Sequence, residues 1–380
     1  MLKRLSIIFV ILFTFAVTPV SAAWKPVTPE GYTPITWAKA PGIASFFKAP
    51  SGSGALDFVT RIYLPMNEIN FIFSTTTEPL DWGPANASFA TAVNTTYSTP
   101  SIIATTTDPF GSASSTASTT PVAVPVVTSQ YHNFAFPRFV AERGKLVSAD
   151  NKFVWNASFF NITLPTSDLS MALKYTVNGK TVVSSGSRPD FDMNSSRRML
   201  LVNNRTGKAN IQQFDADIFA GVASGDQAFE SFGPDVGKSD GVGTARLFIG
   251  VMPDKQELVI YCSQSATVGE ASRALLVAGV AEENQLQADG GGSASCGYNL
   301  PGQYFVEPSR TLPVMMGALT ILGRGNPTTD GLNVRIGPGV KYAAAAKLNK
   351  KDVVKILEEK NGWYRIDEGR WVIKTLIKKQ

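Results

Sequence analysis

The sequence predicts an α+β protein, with mixed β-sheets and few helices in a large domain, followed by a small all-β barrel. Three observations carry this. Short apolar runs bounded by turn residues recur along most of the chain, one segment has clear helical spacing, and the composition changes after Leu322. With 380 residues, 44% of them apolar and 17% charged, the chain is long and apolar enough for two cores of unequal size. Disorder throughout is excluded.

At the start, Met1-Leu2-Lys3-Arg4 precedes an apolar run from Leu5 to Val17, and the small residues Ser21, Ala22 and Ala23 follow before Trp24. This is the pattern of a cleaved signal peptide over residues 1–22. A membrane anchor is the alternative, but about 13 apolar residues fall short of the roughly 20 that span a bilayer as a helix. Export to the periplasm, the cell surface or the medium is therefore expected, with the mature chain beginning at Ala23 or Trp24.

Residues 23–322 read as the large domain. Strand-like runs open it, among them Phe58 to Leu64 and Ile69 to Phe73. From about 76 to 128 the composition differs: Ser112 to Thr120 holds only Ser, Thr and Ala, and Pro121 to Val127 mixes Pro with Val and Ala. Such side chains cannot build a core, so the stretch reads as a surface insertion. Strand signals then become dense: Lys152 to Asn156, Ala172 to Val177, Thr181 to Val183, Met199 to Val202, Arg246 to Val251 and Glu257 to Tyr261. Asn178-Gly179 between two of these is a hairpin turn signal. Glu270 to Ala278 is the helix, with Ala271, Ala274, Leu275 and Ala278 spaced three and four apart. Thr267 and Glu270 are placed as a capping box, and Gly279 is the stop.

Cys262 and Cys296 are the only cysteines, in a chain headed for an oxidising compartment. They admit one disulfide or two separately buried thiols; bridging is expected where their Cβ atoms lie about 4 Å apart. Two Cys and the lone His132 cannot supply a zinc tetrad, which rules out metal sites built on Cys and His; separately, no obligatory metal and no cofactor is expected. Nucleophilic chemistry of the Ser-His-Asp kind would have to run through His132, which sits in no recognisable catalytic setting.

The segment Asp289-Gly290-Gly291-Gly292-Ser293 carries the strongest chemical signal. Three glycines let backbone approach a ligand, while the Asp offers an acid or base and the Ser a hydroxyl. The bland reading is a flexible linker, which would not follow a capped helix and its glycine stop in fixed order. Upstream, Trp155-Asn156-Ala157-Ser158-Phe159-Phe160 combines an amide with aromatics, a composition suited to holding a sugar. Arg246 opens an otherwise apolar strand, where a planar cation suits phosphate oxygens, and Arg310 is a second such candidate. Either arginine alone is more often a surface salt-bridge partner.

In order, these segments resemble the phosphodiester glycosidase family, the N-acetylglucosamine-1-phosphodiester alpha-N-acetylglucosaminidase-like domains. The matching pieces are Asn156 to Phe160, Asn178 to Lys180, Arg246 to Gly250, Thr267 to Glu270, Asp289 to Ser293 and Arg310 to Pro313. The resemblance covers about residues 130–322 and, more loosely, reaches back to about 42. It implies hydrolysis of a sugar-1-phosphodiester or related glycosidic linkage in an envelope or extracellular glycan, including exopolysaccharide. Asp289 would be the first carboxylate and Glu270 a second; Asn156, Phe160, Gly290, Gly291, Gly292 and Ser293 would hold the sugar, and Arg246 and Arg310 the phosphate. Where many members carry an aspartate and a glycine, this chain reads Tyr261-Cys262-Ser263-Gln264, and Ala157 and Ser158 replace two glycines. That departure motivates one alternative, a glycan- or wall-binding surface protein without catalysis.

Residues 328–380 form the second unit. They hold 12 Lys and Arg against 6 Asp and Glu, an excess larger than the +5 of the whole chain, so the basic balance belongs to this tail. No nucleic-acid partner is expected. Leu332-Asn333-Val334-Arg335-Ile336-Gly337-Pro338-Gly339, Asn361-Gly362-Trp363-Tyr364 and Trp371-Val372 resemble the bacterial SH3-like domain. Val334, Val354, Ile356, Tyr364 and Val372 are its expected core, with Trp363 and Trp371 also placed inside. The resemblance and the lysines, such as Lys347, Lys350, Lys374 and Lys378, imply attachment to cell wall or another anionic envelope polymer. Peptidoglycan hydrolysis is the alternative that follows from the tail.

Overall fold

The structure, a computed structural model, describes residues 24–49, 55–73, 130–132, 151–157, 159–163, 166–169, 171, 173–177, 180–184, 197–222, 226–234, 241, 243–299, 304–309, 312 and 314–380. The signal-peptide residues, the Ser/Thr-rich insertion, Asn178-Gly179 and Arg310 lie outside the described residues.

Two sheets enclose the main core. The larger has eleven strands, in the order Thr33–Pro34, Ile43–Lys48, Asp57–Tyr63, Glu257–Ala266, Thr244–Met252, Gln285–Gln287, Gln227–Phe232, Arg197–Asn203 and Lys208–Gln213. Leu173–Val177 joins it at Gln227–Phe232 and carries Lys180–Ser184 beside it. The smaller sheet runs Tyr304–Val306, Cys296–Tyr298, Asn151–Asn156, Val314–Thr320 and Asn67–Phe73. Leu247, Ile249 and Val251 point from the larger sheet into the space between the two, where they meet Phe153, Trp155, Val314 and Met316. Phe248 and Met252, the alternate residues, face the other way. Both faces of this strand are covered, which is why it reads as a continuous apolar run.

Two helices cover the outer face of the larger sheet. Helix α1, Ala216–Gly221, is capped by the Asp215 carboxylate, which accepts from the N–H groups of Asp217 and Ile218. Its Phe219 packs on Met199, Leu201 and Ala228. Helix α2, Val268–Val277, sets Ala271, Ala274 and Leu275 against Phe46, Val59, Phe248 and Tyr261. Fully burying a leucine such as Leu275 contributes about 2 kcal/mol. Past the end of α2, Arg61 donates to the carbonyl of Ala278 and, at 2.7 Å, to the Glu257 carboxylate.

Strands dominate, with two α-helices among the described residues, so the chain is mostly β. Among the described residues every strand pairing in the two sheets is antiparallel, where mixed sheets were expected. The α2 connection shows why. It leaves Glu257–Ala266 and returns as Gln285–Gln287, but Thr244–Met252 lies between these strands and runs antiparallel to both.

Ile321 and Leu322 are the only residues between Val314–Thr320 and the next strand, Gly323–Pro327. That strand pairs with Val354–Ile356 and Ile377–Lys379, and a second sheet orders Ala344–Leu348, Leu332–Arg335, Arg370–Ile373, Trp363–Asp367 and Glu358–Lys360. Leu332, Val334, Val354, Ile356, Tyr364, Val372 and Ile377 form the core of this barrel, and Trp363 and Trp371 are buried. Its contact with the preceding sheets is charged. Glu68 accepts from Arg324 and, at 3.1 Å, from Lys355, while Arg324 also donates to the carbonyl of Asn204.

Candidate functional site

The site grows from the end of strand Asn151–Asn156. Asn156 is 1% exposed. Its Nδ2 donates to the carbonyl of Asp289 (2.6 Å), its Oδ1 accepts from the N–H of Ser295 (3.0 Å), and its own N–H donates to the carbonyl of Ser295 (3.0 Å). An amide can donate and accept at once, whereas an ionised carboxylate in this place could only accept. One side chain therefore closes residues 289–295 into a loop.

The main chain completes the closure. The N–H of Ala288 donates to Leu247 (2.9 Å), that of Asp289 to Ala157 (3.3 Å), and that of Ser309 to Gly292 (2.9 Å). Gly291–Ser293 make one 3-10 turn, with Gly291 at φ 57°, in the left-handed region that favours glycine. Gly290 lies against the neighbouring strand so closely that a Cβ there would sit 2.9 Å from the carbonyl oxygen of Ala245. Asp289 to Gly292 are half-buried and Ser293 fully buried. The hydroxyls of Ser293 and Ser295 are buried with no hydrogen-bond partner among the described residues.

Arg246 lies beside this loop. It is 7% exposed, sits opposite Ser263 in the sheet, and its Nε donates to the carbonyl of Ala266 (3.3 Å). Cys262, on the neighbouring strand, is joined by a disulfide to Cys296, which follows Ser295 directly; the Cα atoms are 6.6 Å apart. The bridge ties the larger sheet to the smaller and closes a 34-residue separation, worth about 3 to 4 kcal/mol on a chain-entropy account.

Asn156, Arg246 and Asp289 to Ser293 thus come together. Glu270 is engaged elsewhere: its carboxylate accepts from the N–H (2.7 Å) and the hydroxyl (2.9 Å) of Thr267 at the start of α2. The Thr267 N–H, then its hydroxyl, hold this exposed carboxyl below its ordinary range. Phe160 opens strand Phe160–Thr163, which pairs with Thr166–Leu169; the placement of its ring lies outside the described residues. Sequence reasoning missed Ser295, whose signal was the run of small residues continuing past Ser293 into the core. Among the described residues no cluster of three or more His, Cys, Asp or Glu is placed to hold a metal ion, and no helix is long and apolar enough to cross a membrane.

Residues 330–378 match the Bacterial SH3 domain family. The chain is also 33% identical over 76 residues to "Putative N-acetylmuramoyl-L-alanine amidase YrvJ" of Bacillus subtilis (strain 168), a similarity covering 19% of this chain and 15% of that protein. Among solved structures, a hypothetical protein from Synechocystis aligns over 76% of this chain and 64% of its own, at 10% identity and a TM-score of 0.36. The zebrafish N-acetylglucosamine-1-phosphodiester alpha-N-acetylglucosaminidase catalytic domain, auto-inhibited by its pro-peptide, aligns over 74% of this chain and 84% of its own, at 13% identity and a TM-score of 0.41.

Proposed function

We propose that this chain is an exported cell-envelope hydrolase that cleaves a sugar-1-phosphodiester or related glycosidic linkage, and that residues 328–380 hold it to wall material or another anionic polymer. The observation that carries the reading is the Asn156 clamp, which fixes the Asp289-Gly-Gly-Gly-Ser loop against Arg246 with Asp289 half-exposed. In this reading Asp289 exchanges a proton with the glycosidic oxygen or the attacking water, the buried hydroxyl of Ser293 bonds the sugar, and Arg246 faces the phosphate. This reading gives Glu270 the cap of α2, whose Thr267 its carboxylate bonds, and leaves proton transfer to Asp289. The match of residues 330–378 to the Bacterial SH3 domain family supports the wall-binding half.

Asp289→Asn tests the assignment, being nearly isosteric and removing only the ionisable group. Release of product from a sugar-1-phosphodiester mimic should fall by about 10²-fold or more while the thermal midpoint stays put. Retained turnover would remove Asp289 from the chemistry. A second reading, peptidoglycan hydrolysis, is favoured by one observation, the 76-residue similarity to the amidase-named protein. Release of amino termini from purified walls, persisting in the Asp289→Asn protein, would favour it.

A further inference from the structure

A second polar depression lies on the outer face of the larger sheet, under α2. It encloses about 260 Å³ and is lined by Tyr32, Lys48, Asp57, Glu270, Arg273 and Val277, among others. The sheet register assembles it. Lys48 pairs with Asp57, Asp57 with Ser263, and Ser263 with Arg246, so four adjacent strands carry a polar row at one end of the sheet. Directly paired residues project to the same face, and two residues further along these strands Phe46, Val59, Tyr261 and Phe248 pack under α2. The row spans three interstrand gaps, about 14 Å. Arg246, at its far end, donates to the carbonyl of Ala266, a residue that also lines the cavity.

The chemistry of the wall selects the ligand. Lys48 and Arg273 donate, Asp57 and Glu270 accept, and the charges, two of each sign, balance. The buried Tyr32 supplies an aromatic ring, while Ala266, Ala274 and Val277 supply apolar surface. Asp57 is positioned from below by the hydroxyl of Tyr261, which donates to it at 2.7 Å. Burial, and next the Asp57 carboxylate, push the pKa values of both Tyr32 and Tyr261 up, so both phenols stay neutral. A balanced ring of donors and acceptors around an aromatic and apolar floor suits a molecule with many hydroxyls, apolar C–H faces and no net charge.

We propose that this cavity binds a neutral saccharide unit, as a subsite separate from the Asp289 loop. The proposal extends the glycan-directed reading above but does not need Asp289 to be catalytic. It is tested on the full chain with acetylated chitotriose as the neutral probe, its deacetylated trimer as the cationic one, and trigalacturonate as the anionic one, by calorimetric titration. The Asp289→Asn protein should bind the neutral trimer more tightly than either charged one. Arg273→Ala, which leaves the Glu270 cap in place, should weaken that binding about tenfold through lost hydrogen bonds. Val277→Trp, at a residue that is 42% exposed and so tolerant of bulk, should fill the cavity and abolish binding while leaving turnover of a small sugar-1-phosphodiester mimic unchanged. Neutral-trimer binding that survives Val277→Trp, or preference for a charged trimer, overturns the subsite. Loss of turnover in Asp289→Asn is scored separately, so the two proposals fail independently.

Discussion

Asp289 and Glu270 are carboxylates less than twenty positions apart, each a few residues after a strand, yet different atoms hold them. Asp289 is held through its main chain: its N–H donates to Ala157 and its carbonyl accepts from Asn156. Glu270 is held through its carboxylate, which closes the α2 cap on Thr267. A carboxylate kept ionised by a helix cap is a poor proton donor near neutral pH. A residue positioned by its main chain keeps its place when its side chain changes. At Asp289 the main chain is pinned, whereas at Glu270 it is the carboxylate.

Breaking the clamp should have the largest effect. Asn156→Ala strips the carbonyl of Asp289 and the N–H of Ser295 of their side-chain partner in a buried place, and should cost about 3 kcal/mol. Denaturant unfolding reads this, and an unchanged midpoint would mean that the loop is held by something else. Gly290→Ala comes next. Its new Cβ meets backbone rather than a movable side chain, so about 2 kcal/mol and a displaced loop are expected, with turnover falling further than stability alone explains.

Glu270→Gln should do least, since glutamine can also close a capping box, and about 0.5 kcal/mol is expected. The pH dependence sharpens the contrast. A carboxyl whose folded pKa is depressed stabilises the fold above its ordinary value, here 4.5, and loses that contribution as pH falls through the lower folded value. The thermal midpoints of the Glu270→Gln and unaltered proteins should therefore converge in acid. A gap that persists there would show that the carboxylate charge is not what the cap uses.

The local parts of the fold were legible in the sequence because they are written in local signals. The α2 helix follows from apolar spacing and a capping box three residues long, and the barrel core from alternating residues such as Val334, Val354, Ile356 and Val372. Of the site, the Asp289 loop and Asn156 could be picked out as residue types, but the bond between them joins positions 133 apart and has no local trace. The same holds for the cavity under α2, where Tyr32, Lys48 and Asp57 meet residues some 200 positions later. Gly323–Pro327 shows a different obstacle. Its two glycines, asparagine and proline read as punctuation, yet it is a strand, and glycine is needed at 325 because a Cβ there would sit 2.5 Å from Ile377 and 2.8 Å from the carbonyl oxygen of Lys378.

The two-residue passage from Val314–Thr320 to Gly323–Pro327 also sets a reach. A leash of ten flexible residues would let a tethered body wander about 17 Å from its anchor. Here Ile321 and Leu322 each donate a main-chain hydrogen bond, to Met66 on one side and Ile356 on the other, and Glu68 grips Arg324 and Lys355 beside them, so the leash has no slack. Under the proposed wall attachment, the Asp289 loop would be carried at one height and one bearing above the surface that the barrel grips. Under the proposed hydrolase reading it would address a narrow shell of linkages around each foothold and gain new ones only when the barrel lets go and lands again.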